Sequence, residues 1–319
     1  MIIPNAKENL FEYINASNPE YEDILECLEY EIHNRVYYYG AHFKNERESK
    51  GFLRRIRFFY KHLRLFFYIL MSKNNLEKKF NGIRVLSATT VNYDEMLESE
   101  KLHVDRVPMF GRLGRPLNIS FKVYIAFLKV DYRVNFYSFY DLVSSENVVF
   151  IRNFKKIFCD YIKLNNYQLL LVPEDLNFWH RLSIQAFEGL GIPSVCMAHG
   201  GTSMLYEGVA DSKVSHLTVW GALQAQFHIE NNYNPKKISI TGHPKYLFEH
   251  KKLKFSLDNI LVIAKSMAGV VLSKKKFIED RGNSIMYLLM IEKALKDLGI
   301  VSVSFRPHPS ESYAWYSKF

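Results

Sequence analysis

The sequence predicts an α/β protein with a helical N-terminal region over 1–80, a parallel-sheet domain over 81–245 and the start of a second parallel-sheet domain over 258–319. Three observations carry this prediction. Short runs rich in Leu, Ile and Val alternate with segments of helical apolar spacing, the pattern of βαβ units around a parallel sheet. The strand-like runs end in Gly, His, Ser, Thr or Pro, at the sheet edge where such proteins bind ligands. The 319 residues are 48 % hydrophobic and 24 % charged, which suits two packed cores and excludes a disordered chain.

The elements follow in order. Ile24, Leu25, Leu28, Ile32 and Val36 lie near helical spacing. The segment 50–73 is a second helix. Arg54, Arg57, Lys61 and Arg64 share one face of it, and Ile56, Phe59, Tyr60, Leu63, Phe66, Phe67 and Leu70 cover the other. After Asn81-Gly82 the pattern changes to a strand at 83–88 (IRVLSA). Helices are expected at 120–130, 146–164, 179–189 and 221–232, and strands at 168–172, 194–198, 215–220 and 237–241. A charged stretch over 243–257 connects the domains. The second domain opens with a strand at 259–264, continues as a helix over 281–298 capped by Gly299, and returns as a strand at 301–305. A complete α/β domain needs more strands than 259–319 supplies, so this domain is expected to be incomplete.

Composition narrows the function classes. Cys27, Cys159 and Cys196 have neither zinc nor disulfide spacing, which fits a reducing cytoplasm. The N-terminus lacks the basic and apolar regions of a signal peptide. The net charge of +9 is local, since residues 41–80 hold eleven Lys or Arg against three Glu. Such a patch attracts phosphate, from nucleic acid or from anionic lipid. The apolar run 65–71 is too short to span a bilayer. The 50–73 helix fits either a core-packed helix with a solvated basic face or one lying in a membrane interface, with Arg54, Arg57, Lys61 and Arg64 among the headgroups. Nucleic acid ranks below both, because the aromatic residues lie at helical core spacing.

Four strand-end constellations carry chemistry. In Arg306-Pro307-His308-Pro309, two prolines fix the backbone around an imidazole and Arg306 offers a planar fork suited to phosphate. Neither proline has an N–H, so a phosphate there needs side chains or the amides of Ser310 and Glu311. In His199-Gly200-Gly201-Thr202, glycines allow close backbone approach, and a helix beginning near Thr202 would present free N–H groups to an anion. His199 there is a candidate donor or base. Pro173-Glu174-Asp175 sets two carboxylates after a buried strand, where a general base for a hydroxyl acceptor is well placed; Asp175 also fits the cap of the helix that follows. Thr241-Gly242-His243-Pro244 is the fourth. Lys265-Ser266 ends the first strand of the second domain and suits a phosphate, although the full P-loop pattern is missing. No dinucleotide fingerprint follows a strand, and no zinc motif is present.

Taken together, His199-Gly200, Val219-Trp220-Gly221, Ile240-Thr241-Gly242-His243-Pro244 and Arg306-Pro307-His308-Pro309 resemble the GT-B glycosyltransferases of bacterial surface polysaccharide synthesis. The similarity is to the Kdo-transferase-like capsule proteins and to the His-Pro-motif sialyltransferases, and it covers about 168–311. The resemblance implies two Rossmann-like domains facing a cleft and a nucleotide-sugar donor, with a CMP-activated nonulosonic acid or Kdo favoured. It implies a glycan or lipid-linked glycan acceptor and no required metal or cofactor. His308 matches the histidine that contacts the donor phosphate, and Glu174 or Asp175 would be the base. Gly200, Gly201, Thr202, Lys265, Ser266, Arg306, Ser310 and Glu311 would complete the donor site. The expected setting is cytoplasmic, peripheral at the inner face of the plasma membrane. Two departures stand out: the acidic motif continues as Leu176 where the family has Gly, and the serine-rich motif beyond the His-Pro pair is missing. CDP-glycerol-type transferases also carry a His-Gly turn and a later Arg-x-His element, and a UDP-sugar transferase or a sugar-nucleotide epimerase on the same fold is a further alternative. A basic membrane- or nucleic-acid-binding protein is the alternative from another class.

Overall fold

The computed structural model describes residues 14, 19–33, 43–72, 82–88, 101–106, 119–175, 177–197, 213–230, 233–242, 260–263, 274–300 and 302–306. The chain divides into two compact units, 1–247 and 248–319.

The first unit begins with a 3-10 turn at Pro19–Tyr21, which leads into helix α1, Glu22–His33. Helix α2 is Phe43–Ser72. Strands β1, Ile83–Ser87, and β2, Leu102–Arg106, are followed by helices α3, Phe121–Phe136, α4, Phe139–Leu142, and α5, Ser145–Leu164. Then come β3, Leu169–Val172, α6, Phe178–Glu188, β4, Ser194–Met197, β5, His216–Val219, α7, Ala222–Glu230, and β6, Ile238–Ile240. The six strands form one sheet in the order β2-β1-β3-β4-β5-β6, and every pairing is parallel. This is an α/β fold compatible with the Rossmann-like kind.

Local chemistry sets where the helices start. Ser120, Ser138, Ser144 and Asn177 take extended backbone before α3, α4, α5 and α6, and each side chain accepts a backbone N–H of the first turn. At α4 the exchange is reciprocal, with Asp141 returning a bond to Ser138. Gly191 leaves α6 at φ 70°, a conformation open to glycine without strain.

The strands sort their side chains onto two faces. Leu86, Leu170, Val172, Cys196, Leu217 and Val219 face a large core shared with α1, α3, α5 and α6. Val85, Val104 and Leu171 form a smaller cluster on the other face. Alternation of period two along each strand produces this split. The N-terminal helices belong to the same unit. Ile24, Leu25, Leu28 and Ile32 of α1 are wholly buried in the large core, and Arg181 of α6 donates to the carbonyl of Glu26 and pairs with Glu29.

Strand β2 was not expected from the sequence. It pairs with β1 from Ile83↔Leu102 to Ser87↔Arg106. Its polar pattern hides a buried carboxylate, Asp105, which accepts from Arg84 Nη2 at 2.7 Å and from the Tyr167 hydroxyl at 3.1 Å.

The second unit contains β7, Leu261–Ile263, helix α8, Lys274–Asp297, and β8, Ser304–Arg306. The two strands are parallel, so this is a single βαβ crossover. Gly299 ends α8 at φ 71°, with Ile300 N–H bonded to Leu295 C=O, the expected glycine cap.

Candidate functional site

The strand order of the first unit creates one topological switch. From β1 the chain moves outward to β2 and then returns to the other side of β1 as β3. In open parallel sheets, the crevice beyond the carboxyl ends of strands flanking such a switch receives ligands. The segment leaving β3 at that edge is Pro173-Glu174-Asp175.

The two carboxylates differ in character. Asp175 is buried. Its Oδ2 accepts the backbone N–H of Lys213 at 2.9 Å, and its carbonyl accepts Arg181 Nε at 2.9 Å. It joins the end of β3 to the segment entering β5 and to α6. The cap of α6 is not Asp175 but Asn177, whose Oδ1 accepts the N–H of His180 at 3.1 Å. Glu174 keeps 32 % of its side chain exposed. Asn177 Nδ2 donates to Glu174 Oε1 at 2.6 Å.

The same amide nitrogen lies 2.8 Å from His180 Nδ1. Because Asn177 Oδ1 is committed to the helix cap, its nitrogen is a donor only. His180 Nδ1 is therefore an acceptor, and the ring proton of the neutral imidazole sits on Nε2. Glu174 Oε1 is 3.4 Å from that Nδ1. One asparagine thus starts a helix, orients a partly exposed carboxylate and sets the tautomer of a buried histidine. The sequence reading missed Asn177 and His180. Their signal was present as Asn-x-x-His directly after the carboxylate pair, with Asn a favoured cap.

The remaining candidates divide clearly. Arg306 is the last residue of β8, exposed, and is the register partner of Ile263 at the end of β7. His199, Gly200, Gly201, Thr202, Lys265, Ser266, His308, Ser310 and Glu311 lie outside the described residues. Thr241 and Gly242 follow β6, with Gly242 at φ 73°; His243 and Pro244 lie outside. On α2, Arg57, Lys61 and Arg64 are exposed, and Arg54 lies within the helix.

Burial raises the thiol pKa values of Cys27 and Cys196 well above the ordinary range; at Cys196 the charges of Asp175 and Glu174 add to the effect. Both are core residues with inert thiols. Among the described residues, no group of three His, Cys, Asp or Glu side chains is placed to hold a metal ion. No helix among them is long and apolar enough to cross a membrane.

No protein-family model matches the chain, and no curated protein or solved structure does either.

Proposed function

We propose that this chain is a glycosyltransferase of the GT-B class that moves a sugar from a nucleotide donor to a surface-glycan acceptor. The observation that carries this reading is Glu174. It is a partly exposed carboxylate at the carboxyl end of β3, beside the β1/β3 switch, oriented by Asn177. The resemblance of the strand-end motifs supplies the donor class, a CMP-activated nonulosonic acid or Kdo.

In the proposed reaction Glu174 takes the proton of the acceptor hydroxyl as the oxygen attacks the anomeric carbon. The new C–O bond forms while the bond from that carbon to the donor phosphate breaks. The nucleotide leaves with the electron pair. The sequence motif Arg306-Pro307-His308-Pro309 is the candidate for the negative charge that develops on the phosphate. Asp175, buried with its Oδ2 accepting Lys213 N–H and its carbonyl accepting Arg181 Nε, is assigned to holding the loop in place.

The test is a donor screen with CMP-, CDP-, UDP- and GDP-linked sugars, reading nucleotide release and transfer. CMP release is expected, and Glu174→Gln is expected to lower it by about 10²–10⁴-fold, the usual contribution of a general base. Full activity in His308→Ala with a CMP-sugar, or release from none of the four donors, would overturn the reading.

A further inference from the structure

Helix α2 attaches to the core by a narrow stripe. Phe58, His62, Leu65 and Ile69 are buried, and at about 100° per residue they fall within an arc of roughly 60°. The apolar face expected from the sequence is mostly a different set. Phe52, Ile56, Phe59, Tyr60, Leu63 and Phe67 are all exposed, from 47 % at Ile56 to 71 % at Phe52. They form a second stripe whose centre lies about 140° around the helix from the first. Arg57 and Arg64 border that outward stripe on one side, with Lys61 beyond them toward the core. Between Glu48 and Glu77 the sequence holds no acidic residue.

We propose that α2 docks this protein on the surface of an anionic phospholipid bilayer. Ile56, Tyr60, Leu63 and Phe67 enter the headgroup–acyl boundary, and Arg57 and Arg64 meet lipid phosphates. Three physical arguments select this occupant. An outward apolar stripe with a cationic border is the design of a helix lying in the membrane plane. Aliphatic side chains in the middle of the stripe, Ile56 and Leu63, gain by leaving water but have nothing to stack on in a nucleic acid. A second copy of the chain would bring the acid-free, cationic stretch 49–72 of one α2 against another and repel it. The docking does not depend on which donor the protein uses.

The test is co-sedimentation of the full chain with vesicles of phosphatidylcholine, with and without phosphatidylglycerol. Binding is expected only with phosphatidylglycerol. Arg57→Glu/Arg64→Glu should weaken it roughly tenfold or more, as loss of two lipid-facing charges predicts. Tyr60→Ser/Phe67→Ser should abolish it while the circular dichroism spectrum stays unchanged. Tyr60→Trp, which keeps the surface apolar, should shift its emission to the blue when anionic vesicles are added, and so tests the docking if the serine variant misfolds. Equal binding to both vesicle types, no binding to either, DNA binding without vesicle binding, or a dimer dissolved by the serine variant would each overturn the proposal.

Discussion

The imidazole Nε2 of His62 lies 3.1 Å from Oδ2 of Asp131, with both side chains buried. This contact ties α2 to α3 through polar groups inside an otherwise aromatic layer. The other carboxylate oxygen accepts Trp179 Nε1 at 3.1 Å and Asn135 Nδ2 at 3.0 Å. The Tyr124 hydroxyl donates to the carbonyl of His62 at 2.7 Å, and its oxygen lies 3.2 Å from His62 Nδ1. Asp131→Ala leaves the buried His62 and the partly buried Trp179 without their acceptor. It should lower stability by on the order of 3 kcal/mol, from two such groups at about 1–3 kcal/mol each. Urea denaturation measures the loss, and hydrogen exchange should show the α2 amides opening first. A stability change within about 0.5 kcal/mol, typical of a surface substitution, would refute this role.

Glu174 and Asp175 are neighbours that should fail in different ways. Glu174→Gln keeps the Asn177 bond through the amide oxygen, so the melting temperature should hold while transfer is lost. Asp175→Ala strips the acceptor from Lys213 N–H and should cost on the order of 1–3 kcal/mol. Paired melting curves and activity assays separate the two. Loss of activity in Asp175→Ala at full stability would move the base to Asp175.

Asn177 links the helix start to the carboxylate. Asn177→Ala removes the cap of α6, at a cost of about 1 kcal/mol. It also releases Glu174 and His180, so activity should fall further than stability explains. Asn177→Asp retains a cap but sets a second negative charge beside Glu174. It should restore the melting temperature without restoring activity. Recovery of both would show that the residue acts on the helix alone.

His228 sets an acid limit on the fold. Burial in α7 holds its pKa below the ordinary imidazole value of about 6.5, and its Nδ1 is buried without a hydrogen-bond partner among the described residues. As pH falls, the unfolded chain binds this proton first. The stability is therefore fully present above about pH 6.5 and is lost as pH falls toward the folded value. His228→Phe should flatten the change in urea midpoint between about pH 7 and pH 5. An unchanged slope would assign the acid sensitivity to other groups.

Much of the fold was legible because its causes are local. The leucine-rich run of β3 and the glycine after α8 each act within a few residues of themselves. The parallel direction of the sheet follows from the alternation of these short runs with helices. Strand β2 was not legible. Its sequence, Leu-His-Val-Asp-Arg, carries a charge in the core, and Arg84 and Tyr167, which bond that charge, arrive from elsewhere in the chain. The inward stripe of α2 was misread for a related reason. His62 interrupts its apolar spacing, and Asp131, more than sixty residues away, is what lets a histidine lie there.

By itself, then, the sequence determined the class of fold, the position of most elements and the choice of Glu174 and Asp175 as a candidate pair. Tertiary structure decided which of the two is bound into the core, which histidine stands beside the other, and which face of α2 meets water. These are contacts between distant residues. Periodicity reports only what one segment does to itself, whereas burial of a charge or a helix face depends on the partner that the fold brings to it.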